Sequence, residues 1–190
     1  MFSKKEIFSI PNLISYIRLL LIPVFAYVYL VIETGSTHYF TVLLLIACSL
    51  TDYLDGRIAR KYQMVTQLGK LIDPVADKLY QLILAIILSF NYQYMKAVCI
   101  LIIAENSILF FYGGYIYLKY HMFINGAKLP GKIATAVFFV FTIILTLWDL
   151  SSSVISLIMI IVMAMTLLNA LIFYTLDLHK MHKQGLKAYE

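Results

Sequence analysis

Four aspartates stand in stretches that are otherwise largely apolar: Asp52 and Asp55, then Asp73 and Asp77. An ionisable residue within a membrane span costs about 2.5–3.5 kcal/mol on insertion scales, so it has to be compensated by a partner or a function. The separations are three and four residues, which on a helix puts each pair on one face. The segments carrying the pairs are joined by a short connection, so their helices are expected to be antiparallel neighbours. Four carboxylates then converge, and they cannot all stay ionised at close range unless cations hold them. An all-oxygen donor set suits hard divalent ions such as Mg²⁺ or Mn²⁺. No His or Cys accompanies the four acids, which argues against zinc. A buried ion-pair network with Arg57, Arg60, Lys70 and Lys78 is the plainer alternative, although it gives no reason for Gly56 and Gly69 at their spacings.

The elements that must position these residues are membrane helices. The chain has 190 residues, 62% hydrophobic and 13% charged, against about 25% charged in an ordinary soluble domain. The apolar residues fall in runs near 12–32, 38–59, 69–90, 94–118, 131–149 and 153–176. Each is close to the roughly 20 residues that cross a hydrocarbon core. The expected fold is an all-α integral membrane protein of six transmembrane helices. Residues 1–10, which mix Phe and Ile with Lys4 and Lys5, read as a short interfacial helix before them. The first hydrophobic run is long and no small-residue cleavage site follows it, so it reads as a retained helix. Residues 1–190 read as a single membrane domain with no room for a separate soluble one, and 177–190 as a polar tail.

Lysines and arginines set the orientation. Lys4, Lys5, Arg60, Lys61, Lys70, Lys119, Lys128, Lys132, Lys180, Lys183 and Lys187 fall on one side, against Glu33, Lys96 and Asp149 on the other. A multi-pass protein of the cell membrane follows, with both termini and the aspartates on the cytoplasmic side. The net charge of +5 suits anionic lipid surfaces, but no basic cluster fit for nucleic acid is present. Cys48 and Cys99 lie in apolar stretches with no ligand spacing and read as packing residues.

The segment TDYLDGRIARKYQMVTQLGKLIDPVADK sets Asp52, Asp55, Gly56, Ala59, Arg60, Gly69, Asp73 and Asp77 at separations that resemble the signature of the CDP-alcohol phosphotransferases. The resemblance implies a six-helix fold, usually a homodimer, and two divalent cations held by Asp52, Asp55, Asp73 and Asp77. It also implies a CDP site drawing on Asp52, Gly56, Ala59, Arg60, Thr66 and Gly69, with Asp77 doubling as general base. The glycines suit close backbone approach, and Arg60 offers a planar fork of donors for a pyrophosphate. The implied reaction is an in-line displacement in which an alcohol attacks the lipid-side phosphorus of CDP-diacylglycerol and CMP leaves, with the two metals stabilising entering and leaving oxygens.

The acceptor is less defined. SIPNLISYIRLLLIPVF, with Asn12, Arg18 and Pro23, and LIDPVADKL, with Pro74, are similar to bacterial phosphatidylglycerophosphate synthases and related cardiolipin synthases. Arg18 either faces the site or snorkels to the headgroups. Members that use glycerol phosphate typically carry arginines in and after the fourth span, whereas Arg60 is the last arginine here. Gly131, Lys132 and Thr135 resemble the family's GKxKT element, with Ala134 in place of its second lysine. Lys128, Lys132 and Glu105 are therefore the acceptor-site candidates, with Lys119 and His121 nearby. Glu105 and Asn106 equally suit interhelical hydrogen bonding.

Glycerol 3-phosphate, giving phosphatidylglycerol phosphate, is the expected acceptor, with phosphatidylglycerol, giving cardiolipin, as the alternative. From another class, a divalent-cation transporter would also carry intramembrane acids, but it calls for acids spread through the membrane depth and often for a repeat, and none is visible. Three features suit structure rather than chemistry: Gly113-Gly114 a close helix approach or bend, the tyrosines near helix ends an aromatic belt, and His179 and His182 a solvated or headgroup-facing tail.

Overall fold

The computed structural model describes residues 10–32, 38–61, 67–122, 128–148 and 150–189; at 10–15, 18–19, 51–61, 67–76 and 187–189 it describes the backbone alone. Residues 1–9 of the expected interfacial segment 1–10, and Thr66, lie outside the described residues. The described elements are α1 (Ile10–Tyr27, running on as a π-helical turn over Val28–Ile32), α2 (Tyr39–Lys61), α3 (Gln67–Leu88), α4 (Met95–Tyr120), α5 (Leu129–Leu147) and α6 (Val154–Tyr189). There is no strand among the described residues. The all-α expectation agrees with this, and each of the six apolar runs contains one helix.

Among the described residues, three helical stretches are long and apolar enough to cross a membrane: Met95–Tyr120, Leu129–Leu147 and Val154–Leu186. Leu20–Ile32 and Tyr39–Leu50 are shorter apolar stretches. On α4 the side chains of Phe110, Phe111 and Leu118 are each more than 70% exposed. Such an apolar surface calls for lipid or a protein partner rather than water.

The chain divides into two compact units, Met1–Ile87 with Ile143–Asp149, and Leu88–Thr142 with Leu150–Glu190. In the first, α1 packs on α2. Ile22, Phe25 and Tyr29 repeat at helical spacing on one side, and Val42, Leu45 and Cys48 do so on the other; all are buried. His38, just before α2, sets its ring 4.5 Å from that of Tyr29 and closes the hairpin. Pro23 lies inside α1 without ending it.

In the second unit α4 packs on α6. Gly113 faces Leu178 and Tyr120 faces Gly185, so contacts advance along both helices together and the two run parallel. Ile116, Tyr120 and Leu178 form the core of this contact, with Met181 and Tyr112 against them. α4 ends at His121, whose left-handed backbone (φ 54°) lets its N–H reach the Tyr117 carbonyl. Histidine tolerates that region better than bulky or β-branched residues do.

Here the structure departs from the polar-tail reading. The α6 helix does not stop near residue 176 but continues through DLHKMHKQGLKAY to Tyr189. The reason is packing: Leu178, Met181, His182 and Gly185 follow the i, i+3, i+4, i+7 rule and give the stretch a face against α4.

The aromatic belt also divides. Tyr94, Tyr115 and Tyr117 are exposed, whereas Tyr92 and Tyr120 are buried, and the Tyr92 hydroxyl accepts a hydrogen bond from the Leu150 N–H at 3.2 Å. Gly113 and Gly114 do not bend α4 into two helices.

Candidate functional site

The four aspartates lie on two uninterrupted helices of the first unit. Asp52, Asp55, Gly56, Ala59 and Arg60 occupy the C-terminal end of α2. Gly69 lies in the first turn of α3, with Asp73 and Asp77 one and two turns further on. Both pairs thus keep the one-turn separation that same-face placement requires. Side chains at 51–61 and 67–76 fall outside the description, so of the acids only Asp77 is placed in full: it is half-buried, as is Lys78 next to it. Among the described residues no group of three or more His, Cys, Asp or Glu side chains gathers as a metal site, and that set includes only one of the four aspartates. Four carboxylates without nitrogen or sulfur donors fit Mg²⁺ or Mn²⁺ in kind.

The acceptor candidates lie in the second unit, and there the side chains are placed. Glu105 on α4 is 3% exposed. It lies near Tyr174 on α6. Tyr174, itself buried, brings its hydroxyl to the main chain of Lys128. It also fills the space over Gly131, where an added Cβ would run into the Tyr174 hydroxyl and lie 2.9 Å from Cζ. A glycine at 131 is thus what lets the start of α5 close onto α6.

Lys128 immediately precedes α5, and its carbonyl accepts the Lys132 N–H at 3.1 Å in the opening turn. Its ammonium does not stand apart: Nζ lies 3.5 Å from Asp177 Oδ2, with both side chains partly exposed at 39% and 26%. Lys132, four residues on, is exposed. Of the other cations considered, Lys119 donates to the Tyr115 hydroxyl at 3.2 Å and lies over the Tyr115 and Tyr120 rings. His121 is exposed at the end of α4.

Sequence reasoning brought out Glu105, Lys128 and Lys132 but passed over Tyr174 and Asp177, the two residues that engage Lys128. The available signal was an Asp one turn after a Tyr at the end of the last apolar run. His182 is not solvated or headgroup-facing as expected: its ring centroid lies 6.0, 5.8 and 5.6 Å from those of Tyr112, Tyr115 and Tyr120.

The family model of the CDP-alcohol phosphatidyltransferases matches residues 8–173. A CDP-diacylglycerol--glycerol-3-phosphate 3-phosphatidyltransferase of Rickettsia typhi is 35% identical over 101 residues, 53% of this chain and 56% of the relative. A CMP-forming cardiolipin synthase of Streptomyces coelicolor is 38% identical over 77 residues, 40% of this chain and 36% of the relative. A putative cardiolipin synthase of Mycobacterium tuberculosis is 35% identical over 85 residues, 45% and 39% of the two chains. The chain spans about half the length of the first of these relatives, and less of the other two.

Proposed function

The chain belongs to the CDP-alcohol phosphatidyltransferase family, and from that membership we propose that it transfers the phosphatidyl group of CDP-diacylglycerol to an alcohol with release of CMP. The observation that carries this reading is the family match over residues 8–173, which encloses the whole Asp52–Asp77 pattern. The protein is read as a six-helix, multi-pass protein of the cell membrane, a homodimer among membrane lipids, with its termini and aspartates on the cytoplasmic side. Its lysine and arginine distribution supports that orientation.

Asp52, Asp55, Asp73 and Asp77 would hold two divalent cations, Mg²⁺ or Mn²⁺, whose chemistry is to neutralise charge on the pyrophosphate and its leaving oxygen. Asp52, Gly56, Ala59, Arg60, Thr66 and Gly69 bind the CDP moiety, with Arg60 clamping phosphate oxygens. Asp77 takes the proton of the acceptor hydroxyl. The freed oxygen attacks the lipid-side phosphorus, the bond from that phosphorus to the bridging oxygen breaks, and CMP departs with that oxygen.

Glycerol 3-phosphate is the acceptor best supported, giving phosphatidylglycerol phosphate. The support is the 35% identity to the Rickettsia enzyme named for that substrate and the lysines at 128 and 132. The absence of any arginine after Arg60 favours a second reading, cardiolipin synthesis from phosphatidylglycerol, and the likeness to the Streptomyces synthase supports it as well. Purified protein given CDP-diacylglycerol and each acceptor in turn, with products weighed by mass spectrometry, separates the two. Phosphatidylglycerol phosphate as the main product is expected; cardiolipin alone would replace the first reading with the second.

A further inference from the structure

Resting on the reading that the acceptor is a small phosphomonoester, we propose that Asp177 is a specificity-determining residue: its carboxylate holds the Lys128 ammonium in the empty site and gives way to the acceptor's phosphate. The main chain and the side chain of Lys128 are held very differently. The main chain is fixed, because buried Tyr174 engages it and fits over Gly131, and the Lys128 carbonyl starts the first turn of α5. The ammonium is held loosely, 3.5 Å from one carboxylate oxygen, against about 2.7–2.9 Å for a strong charge-assisted hydrogen bond. The pair is also partly exposed, and ion pairs of that kind contribute little net stability. A phosphate dianion brings more charge and more acceptor oxygens than a carboxylate, so it outcompetes Asp177 without any movement of the backbone.

The surroundings favour a phosphate as the incoming group. Lys132 follows Lys128 by four residues, exposed in the opening turn of α5, a spacing that on a helix makes two side chains neighbours. Two ammonium groups can then share one phosphate, each as a point charge able to follow it. Asp177 is one turn after Tyr174 on α6, so the residue that fixes the lysine's backbone and the residue that restrains its head group belong to one face of one helix. A neutral hydroxyl acceptor would gain nothing from displacing the carboxylate. Asp177 thereby acts as an internal competitor that raises the threshold for weakly charged ligands.

The test is a set of initial-rate measurements of CMP release by the full chain in detergent micelles, with CDP-diacylglycerol saturating and glycerol 3-phosphate varied. Asp177→Asn removes the competing charge and is expected to lower the KM for glycerol 3-phosphate roughly two- to five-fold, the size of effect that loss of a partly exposed charge pair allows. Asp177→Ser should move KM the same way, and Asp177→Glu should keep it near the wild-type value. Lys128→Gln should raise KM, and adding Asp177→Asn to it should then change nothing, a coupling that a purely structural role would not produce. A KM that stays or rises in both Asp177→Asn and Asp177→Ser overturns the proposal, as does an equal fall in the Lys128→Gln background. Wild-type protein that releases no CMP with glycerol 3-phosphate but does so with phosphatidylglycerol overturns the acceptor reading itself, an outcome seen before any variant is made.

Discussion

Asp77 is the residue on which the proposed chemistry turns. It is one of four acids in the pattern, yet it alone is assigned to proton transfer, and its half-buried side chain stands on α3 beside Lys78. Asparagine at 77 keeps the shape and removes the base. General-base catalysis is worth about 10²–10⁴-fold, so Asp77→Asn should lower CMP release by at least about 100-fold while CDP-diacylglycerol binding partly survives. Turnover assays with a parallel donor-binding measurement check this, and a fully active variant would remove the assignment. The one-turn spacing of the aspartates was legible in the sequence because it depends on helical periodicity alone. Tyr174 and Asp177 were not legible as site residues, because their roles depend on which helix α6 meets. No rule of local spacing states that a tyrosine near the end of the chain will fill the room left by Gly131.

At the scale of elements, the helix positions were readable because long apolar runs can satisfy their backbone in a membrane only as helices or closed barrels, and these runs lack period-two alternation. The end of α6 was the exception. Its polar composition suggests a tail, but Leu178, Met181, His182 and Gly185 carry a stripe that packs on α4. Charge counted residue by residue conceals that stripe, whereas counting by helical face reveals it. The junction of α5 and α6 makes a sharper prediction. Gly131→Ala places a methyl group against the ring of buried Tyr174, and overpacking of this kind costs about 1–3 kcal/mol. Gly114→Ala meets nothing within 4 Å and gains up to about 1 kcal/mol in helix propensity. Thermal unfolding in detergent should therefore show a lower midpoint for Gly131→Ala and an unchanged or higher one for Gly114→Ala. Equal behaviour of the two would mean that Tyr174 is not seated over Gly131.

At the scale of the molecule, the candidate residues fall into two sets. The Asp52–Asp77 pattern belongs to the unit Met1–Ile87 with Ile143–Asp149, and Glu105, Lys128, Lys132, Tyr174 and Asp177 belong to the unit Leu88–Thr142 with Leu150–Glu190. The family match crosses both. The pattern proposed for the donor was the more readable half because it is local in sequence: its eight positions lie within 26 residues. The candidate acceptor residues are spread from 105 to 177, and the lysines among them are not committed by type to one ligand, since an ammonium binds phosphate and carboxylate alike. The central claim is metal-dependent release of CMP from CDP-diacylglycerol, and it has one direct measurement. Purified protein in micelles, stripped with a chelator, is supplied with CDP-diacylglycerol and glycerol 3-phosphate, and free CMP is measured before and after Mg²⁺ or Mn²⁺ is restored. The expected result is no CMP above background without metal and rapid release with it. CMP release that is indifferent to chelation would contradict the role given to the four aspartates, and no release under any metal and either acceptor would contradict the activity itself.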